Sequence, residues 1–368
     1  MFKPALAIIF FLASSFAFAN HSVDIEGRNL EYEISGDGDL WVLFDAGALT
    51  GMAGWDALWD NLPDGITALR FSRLGEGNSS PCSGQRTSQE HVDEVESVLD
   101  ALSVKRPFIY VGHSLGGATA RNYASTHIND VLGMLLVDPE NPQDIQVIKE
   151  LDPLNGPAQI EQIKANDYKL AEGKWCFLDA IWKKQAAKDF DDIGDIPVTL
   201  IASVMQFDKP QTIFNSDAGR KRWGEIQSDW LATFPKGRFV TTDKSPHYIQ
   251  QSEPELVLTE LSLLIEKVKT SLQLADLSGK WRHTSKPAVI QFNMNTKDAM
   301  VFQHDEAASA GLNLIKDITK HQSDDKRWIG DMYNAYQDKY VEVSINMLST
   351  NLLSISSRDG KEVLRLKR

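Results

Sequence analysis

The order of short apolar runs predicts an α/β domain with a mostly parallel sheet, followed by a small all-β domain. Three observations carry this. Strand-like runs alternate with helical patterns from Ser22 to about Lys269, the signature of a parallel sheet covered by helices on both faces. A serine between glycines, Gly112-His113-Ser114-Leu115-Gly116, falls between a strand run and a helix. From about Asp276 the helical patterns stop, and short β-branched or aromatic runs follow at the spacing of a sandwich or small barrel.

Taken in order, the chain opens with Lys3 and an almost wholly apolar stretch from Ala5 to Ala19, ending in Ala17-Phe18-Ala19. A positive start, an apolar middle and a small-x-small end are what a signal peptidase reads. Residues 1–19 are therefore expected to be a signal peptide cut before Asn20, its apolar run too short to span a bilayer comfortably. Gly36-Asp37-Gly38 reads as a hairpin turn rather than a phosphate loop, since no helix opens after it. Leu40-Trp41-Val42-Leu43-Phe44 has the continuous apolar character of a buried strand, and Ala46-Gly47-Ala48 leads from it towards a helical stretch near Trp55 to Leu62. Ile66 to Phe71 is the next strand. Val92, Val95, Val98, Leu99 and Leu102 recur at helical spacing.

Phe108 to Val111 is a strand, Leu115 to Thr126 a helix and Val131 to Val137 a strand again. Residues 139–195 carry helical patterns with no strand between them, including Ile145 to Leu151 and Gln159 to Leu170. An insertion there would sit over the carboxyl ends of the strands, as a helical lid. Pro197 to Ala202 and the short Phe239-Val240 are strands. Pro254 to Lys269 is a helix with proline in its first turn. Trp223 and Trp230, seven apart on a helical stretch, read as core packing. In the second domain the strand runs centre on Trp281, Val289-Phe292, Met300-Phe302, Asn313-Ile318, Trp328-Ile329, Tyr340-Ile345, Leu352-Ile355 and Val363-Leu366. The domain plan is thus 1–19, 20–272 and 276–368.

Acidic residues outnumber Lys and Arg by 51 to 38, for a net charge of −13. Nucleic-acid binding rests on clustered basic residues, so that class of partner is not expected. Export would place the two cysteines, Cys82 and Cys176, where disulfides persist. A bridge between them is the favoured reading, with two unpaired thiols the alternative. The histidines are dispersed, with no H-x-x-H or paired C-x-x-C, so neither a metal nor a cofactor is expected.

The chemistry centres on Ser114. A serine presented on a sharp strand-to-helix turn needs small neighbours two residues before and two after, which Gly112 and Gly116 supply. The helix N-terminus beneath it adds partial positive charge where an oxyanion would form. This segment, together with Arg73-Leu74-Gly75-Glu76-Gly77-Asn78-Ser79 upstream, resembles the lipase and esterase branch of the α/β-hydrolase superfamily. The resemblance covers roughly residues 30 to 270, and in that family the chain order is Ser, then Asp or Glu, then His.

The resemblance implies that His247, in Ser245-Pro246-His247, is the general base, with Pro246 standing where the family has glycine. His113 is expected to point away from the nucleophile, and His91 to sit at the surface. Asp138, at the end of the Val131–Val137 strand, is the favoured triad acid, and Asp208 after the next strand is the alternative. The oxyanion donors are expected to be the N–H groups of Leu115 and Ala48, the latter on a loop where Asp45-Ala46 replaces the usual His-Gly.

The implied activity is hydrolysis of a small-molecule carboxylic ester through an acyl-serine intermediate, in an exported protein of the periplasm or medium. Amidase or peptidase, carbon–carbon hydrolase and haloperoxidase chemistry use the same residues, and a silent exported binding protein using the β-domain is the alternative of another class. Gly311 to Ile318 and Trp328 to Asn334 resemble a family of small exported bacterial domains with a lipocalin-like barrel. That leaves open a barrel mouth for a ligand or partner and a passive domain that orients the catalytic one.

Overall fold

The computed structural model describes residues 21–368 apart from 172–174, 184–192, 194–195, 274–276, 307–308, 322–323, 325 and 350. The signal peptide read at residues 1–19 lies outside the described residues. The first domain is built on a sheet of eight strands: β1 (His21–Ile25), β2 (Arg28–Ser35), β3 (Leu40–Asp45), β4 (Ile66–Phe71), β5 (Phe108–His113), β6 (Val131–Val137), β7 (Val198–Ser203) and β8 (Gly237–Thr242). Their order is β1-β2-β4-β3-β5-β6-β7-β8. β1 and β2 pair antiparallel, as do β2 and β4, and every pair from β4 to β8 is parallel.

The central strands are apolar at consecutive positions because both sheet faces are covered. Every residue of β4, β5, β6 and β7 is buried. Successive side chains take opposite faces. Leu43, Tyr110 and Leu136 pack with Val92, Val95 and Val98 of α2 (Ser88–Ala101) and Tyr123 of α3 (Leu115–Thr126). Val42, Phe44, Ile109 and Val137 pack against the other layer, with Trp55, Leu58 and the helix Pro254–Gln273. Thr87 and Glu90 form a reciprocal cap that starts α2.

The reading of Gly36-Asp37-Gly38 as a hairpin turn does not hold. The turn joins β2 to β3, yet β4 lies between these two strands. The local glycine pattern signalled a turn correctly, but pairing was decided by the sheet, which sends β4 antiparallel onto β2.

Between β6 and β7 the chain leaves the sheet as α4 (Asp144–Leu151), α5 (Gly156–Ala171) and α6 (Leu178–Lys183), helices in the stretch where helical patterns are expected. After β7 comes α7 (Asp217–Leu231), which packs on β7, β8 and α4. No described helix is long and apolar enough to cross a membrane.

The C-terminal domain is a separate closed barrel of antiparallel strands, in the order β10-β11-β12-β13-β14-β15-β16-β9. The strands are β9 (Gly279–His283), β10 (Ala288–Asn293), β11 (Asp298–His304), β12 (Asn313–Lys320), β13 (Arg327–Asn334), β14 (Lys339–Ser349), β15 (Leu352–Ser357) and β16 (Glu362–Lys367). Pairing of β16 with β9 closes it and removes both sheet edges. Trp281, Phe292, Ile315, Trp328, Ile345 and Ile355 lie in one buried cluster, so side chains fill the interior.

Candidate active site

The site lies where the strand order reverses. The chain leaves β3 towards the Trp55 layer and leaves β5 into α3 on the opposite face, so the carboxyl ends of β3 and β5 flank the point where the order reverses, where ligands of such sheets bind. Two loops face it: residues 46–49 after β3, and the turn at Ser114.

Ser114 has φ 49° and ψ −115°, a conformation few non-glycine residues adopt. Its N–H donates to Val137 O (3.2 Å), and its own carbonyl accepts from Glu140 N (3.0 Å). The turn is so tight that a Cβ on Gly112 would lie 2.5 Å from Gly116 O, and one on Gly116 would overlap Asp45 O. Those contacts are the physical content of G-x-S-x-G in this chain.

His247 comes from the loop after β8. Its Nδ1 lies 2.7 Å from Asp138 Oδ2. The imidazole side chain is 44% exposed and the carboxylate 1%, so the pair is wet at the histidine end and dry at the acid. Asp138 follows β6 with φ 39° and accepts further bonds from Ser203 N (3.0 Å) and Trp223 Nε1 (2.8 Å). Arg220 Nη2 stands 4.0 Å away and also donates to Ser203 O. Burial pushes the Asp138 carboxyl up, but the bonds from His247 and Trp223 and the charge of Arg220 outweigh it, holding the group below the usual carboxylate range. Asp208 is exposed on the loop after β7. The structure therefore brings Asp138, not Asp208, to His247.

His113, next to Ser114 in the chain, meets His247. Its Nε2 is 3.0 Å from His247 O, and the two rings lie 4.7 Å apart between centroids. Complete burial, reinforced by the neighbouring His247, lowers its pKa to about 3. The ring is then neutral, and Nε2 must carry the proton to donate to that carbonyl. Ser203 Oγ donates to Ser245 O (2.7 Å), fixing the loop two residues earlier.

The loop 46–49 passes directly beside Ser114: a Cβ on Gly47 would sit 3.3 Å from Ser114 Cβ. Ala48 packs in one apolar cluster with Leu115. Arg73 holds this loop in place. It is ion-paired with Asp45, donates to Ala46 O, and reaches Glu76 Oε2 at 3.2 Å. Glu76 Oε1 in turn accepts from Leu49 N (2.9 Å), and Tyr110 Oη donates to Asp45 Oδ2 (2.9 Å). Burial pushes both carboxyls up, and Arg73 pulls each back.

Cys82 and Cys176 are joined in a disulfide, with Cα atoms 6.2 Å apart. His91 is not at the surface. It is buried on α2, where burial and the charges of Arg73 and Arg86 depress its pKa.

Trp223, Ser203 and Arg220 were not legible as site residues. Trp223 is 85 positions from the carboxylate it serves, and an indole on an apolar helix face looks the same whether or not its N–H has a partner. Because a bond to a buried charge is worth about 1.5–3 kcal/mol, Trp223→Phe is expected to lower kcat by roughly tenfold with KM little changed. Steady-state kinetics on one ester measure this, and an unaltered kcat would remove the indole from the account.

A sequence model of the alpha/beta hydrolase fold matches residues 41–171. An uncharacterized Bacillus subtilis protein, YqjL, is 25% identical over 229 residues, 60% of this chain and 82% of that protein. The lipase LipV of Mycobacterium tuberculosis is 30% identical over 127 residues, 34% of this chain and 47% of that enzyme. Among solved structures, a candidate lipase of Acinetobacter baumannii AYE superposes with a TM-score of 0.52 at 14% identity, covering 68% of this chain and 92% of that one. Fold and matches together give the first domain the α/β-hydrolase fold, with a closed β-barrel following it at the C-terminal end of the described chain.

Proposed function

We propose that this protein is an exported serine esterase that cleaves small carboxylic esters through an acyl-enzyme. The observation that carries the reading is the His247–Asp138 pair at 2.7 Å, set at the carboxyl ends of the strands beside a serine held at φ 49°. Ser114 Oγ attacks the ester carbonyl while His247 Nε2 takes its proton. The oxyanion of the tetrahedral intermediate faces the Leu115 and Ala48 N–H groups. His247 then gives the proton to the departing alcohol, leaving acyl-Ser114. Water attacks the acyl group with His247 again accepting the proton, and the acid leaves as the serine is restored. Asp138 stays ionised throughout and keeps the Nδ1–H tautomer.

Ester chemistry is favoured over the other reactions of such a triad by the similarity to a lipase. The leader-like residues 1–19 and the disulfide support export, since such bonds persist in oxidising compartments. The test is labelling with a fluorophosphonate, followed by mass mapping of the adduct. The expected result is a single adduct on the peptide carrying Ser114, with turnover of p-nitrophenyl esters lost in proportion. An adduct elsewhere, or no adduct, rejects the assignment. N-terminal sequencing of the protein recovered from outside the cytoplasm, beginning at Asn20, tests export.

A further inference from the structure

The loop that follows Cys82 is tied to the segment leading into α6 by more than the disulfide. Gln85 Nε2 donates to Trp175 O (2.7 Å), and its Oε1 accepts from Asp179 N (3.1 Å), so one amide grips both ends of residues 175–179. Between them Arg86 N donates to Cys176 O (2.7 Å). The segment so held packs at the edge of the site. Phe177 and Leu178 are buried against Leu115, with Ala48, Trp175, Ile181 and Trp182 packed around them. Ile181 and Trp182, packed against that cluster, also form one wall of an apolar cavity of about 240 Å³, bounded by Ile145, Ile148, Ile160 and Ile163. One short helix thus touches the residue after the nucleophile and lines a cavity sized for an aliphatic chain.

We propose that Gln85 and the Cys82–Cys176 bond are specificity determinants: they fix the α6 wall, so that the cavity takes the aliphatic part of an ester up to a sharp length limit. Reduction of the disulfide then relaxes that limit. The inference rests on Ser114 being the nucleophile. Close-packed walls do not yield to an extra methylene, whereas a wall freed at its anchored end does. Neither Gln85 nor the disulfide touches the reacting atoms, so they act through the position of Phe177 and Trp182.

The test compares the full-length wild type with two variants on p-nitrophenyl esters from acetate to dodecanoate. One is the triple variant Cys82→Ser/Cys176→Ser/Gln85→Ala; the other is Ile163→Trp, which fills the cavity. In the triple variant, kcat/KM for esters beyond the wild-type optimum is expected to rise at least about tenfold relative to acetate. In Ile163→Trp, kcat/KM for the longest accepted ester is expected to fall at least about tenfold relative to that for acetate. Length profiles that superimpose on wild type in both variants overturn the proposal. If the triple variant fails to fold, Gln85→Ala treated with tris(2-carboxyethyl)phosphine removes the same two ties and is read on the same esters. If wild type neither labels with fluorophosphonate nor turns over, the nucleophile assignment has failed. Calorimetry with decanoate then decides the cavity alone: binding weakened about tenfold by Ile163→Trp sustains it, and no binding to wild type sinks it.

Discussion

Replacing Asp138 by Asn is expected to lower kcat about 10⁴-fold while leaving the fold intact. The magnitude follows from the tautomer. Asp138 offers only acceptors, and its two oxygens already receive Ser203 N, Trp223 Nε1 and His247 Nδ1. An amide in its place can turn its NH₂ to the imidazole, which then keeps its proton on Nε2 and cannot accept the one on Ser114. The carboxyl is held below the usual range in the fold, so its stabilising contribution is present above about pH 4 and is lost as pH falls through the lower folded value. The Asp138→Asn variant has no carboxyl to titrate there and so lacks that acid-side loss, which gives an independent signature in unfolding measured against pH. Initial rates on a p-nitrophenyl ester decide the main point. A loss smaller than about tenfold would falsify the role of Asp138. Asp208→Asn should stay near wild type in the same assay.

Much of this site can be read from the sequence because its parts are local. Ser114 sits in a five-residue pattern whose glycines are forced by backbone contacts at the turn itself, so the pattern and the geometry are the same fact. The central strands β4 to β7 are equally legible, since burial on both faces leaves a continuous apolar run. What was hidden is what depends on distant partners. Asp138 and Asp208 both follow strands, and only the sheet order and the loop after β8 decide which meets His247. The barrel strands could be named one by one, but their closure through β9 and β16 could not. His91 shows the same limit in reverse. A histidine near a helix start reads as surface, yet the loop carrying Arg73 and the α2 packing enclose it.

Arg73→Met is expected to destabilise the catalytic domain by about 3–5 kcal/mol, because it removes one member of a buried charge group and leaves the others unpaired. Asp45 is 1% exposed, and its ion pair is made by Arg73. Among the described residues, Glu76 keeps only the Leu49 N–H. Both carboxyls are already pushed up by burial, and the cation is what opposes that push. The same change also frees the loop beside Ser114. Arg73 holds Ala46 O, and through Glu76 it holds Leu49 N, so the Ala48 amide lies between two points that both depend on one guanidinium. Loss of an aligned oxyanion donor is worth about 10²–10³ in kcat.

The two effects separate experimentally. Asp45→Asn/Glu76→Gln made together with Arg73→Met removes the unpaired charges and should recover part of the stability, measured by urea unfolding. It should not recover kcat, because the loop is still unheld. If Arg73→Met unfolds within about 1 kcal/mol of wild type, the charge group is not what stabilises this region. If the triple change restores kcat as well as stability, the Ala48 amide is placed by the backbone of the loop itself, and Arg73 serves the core alone.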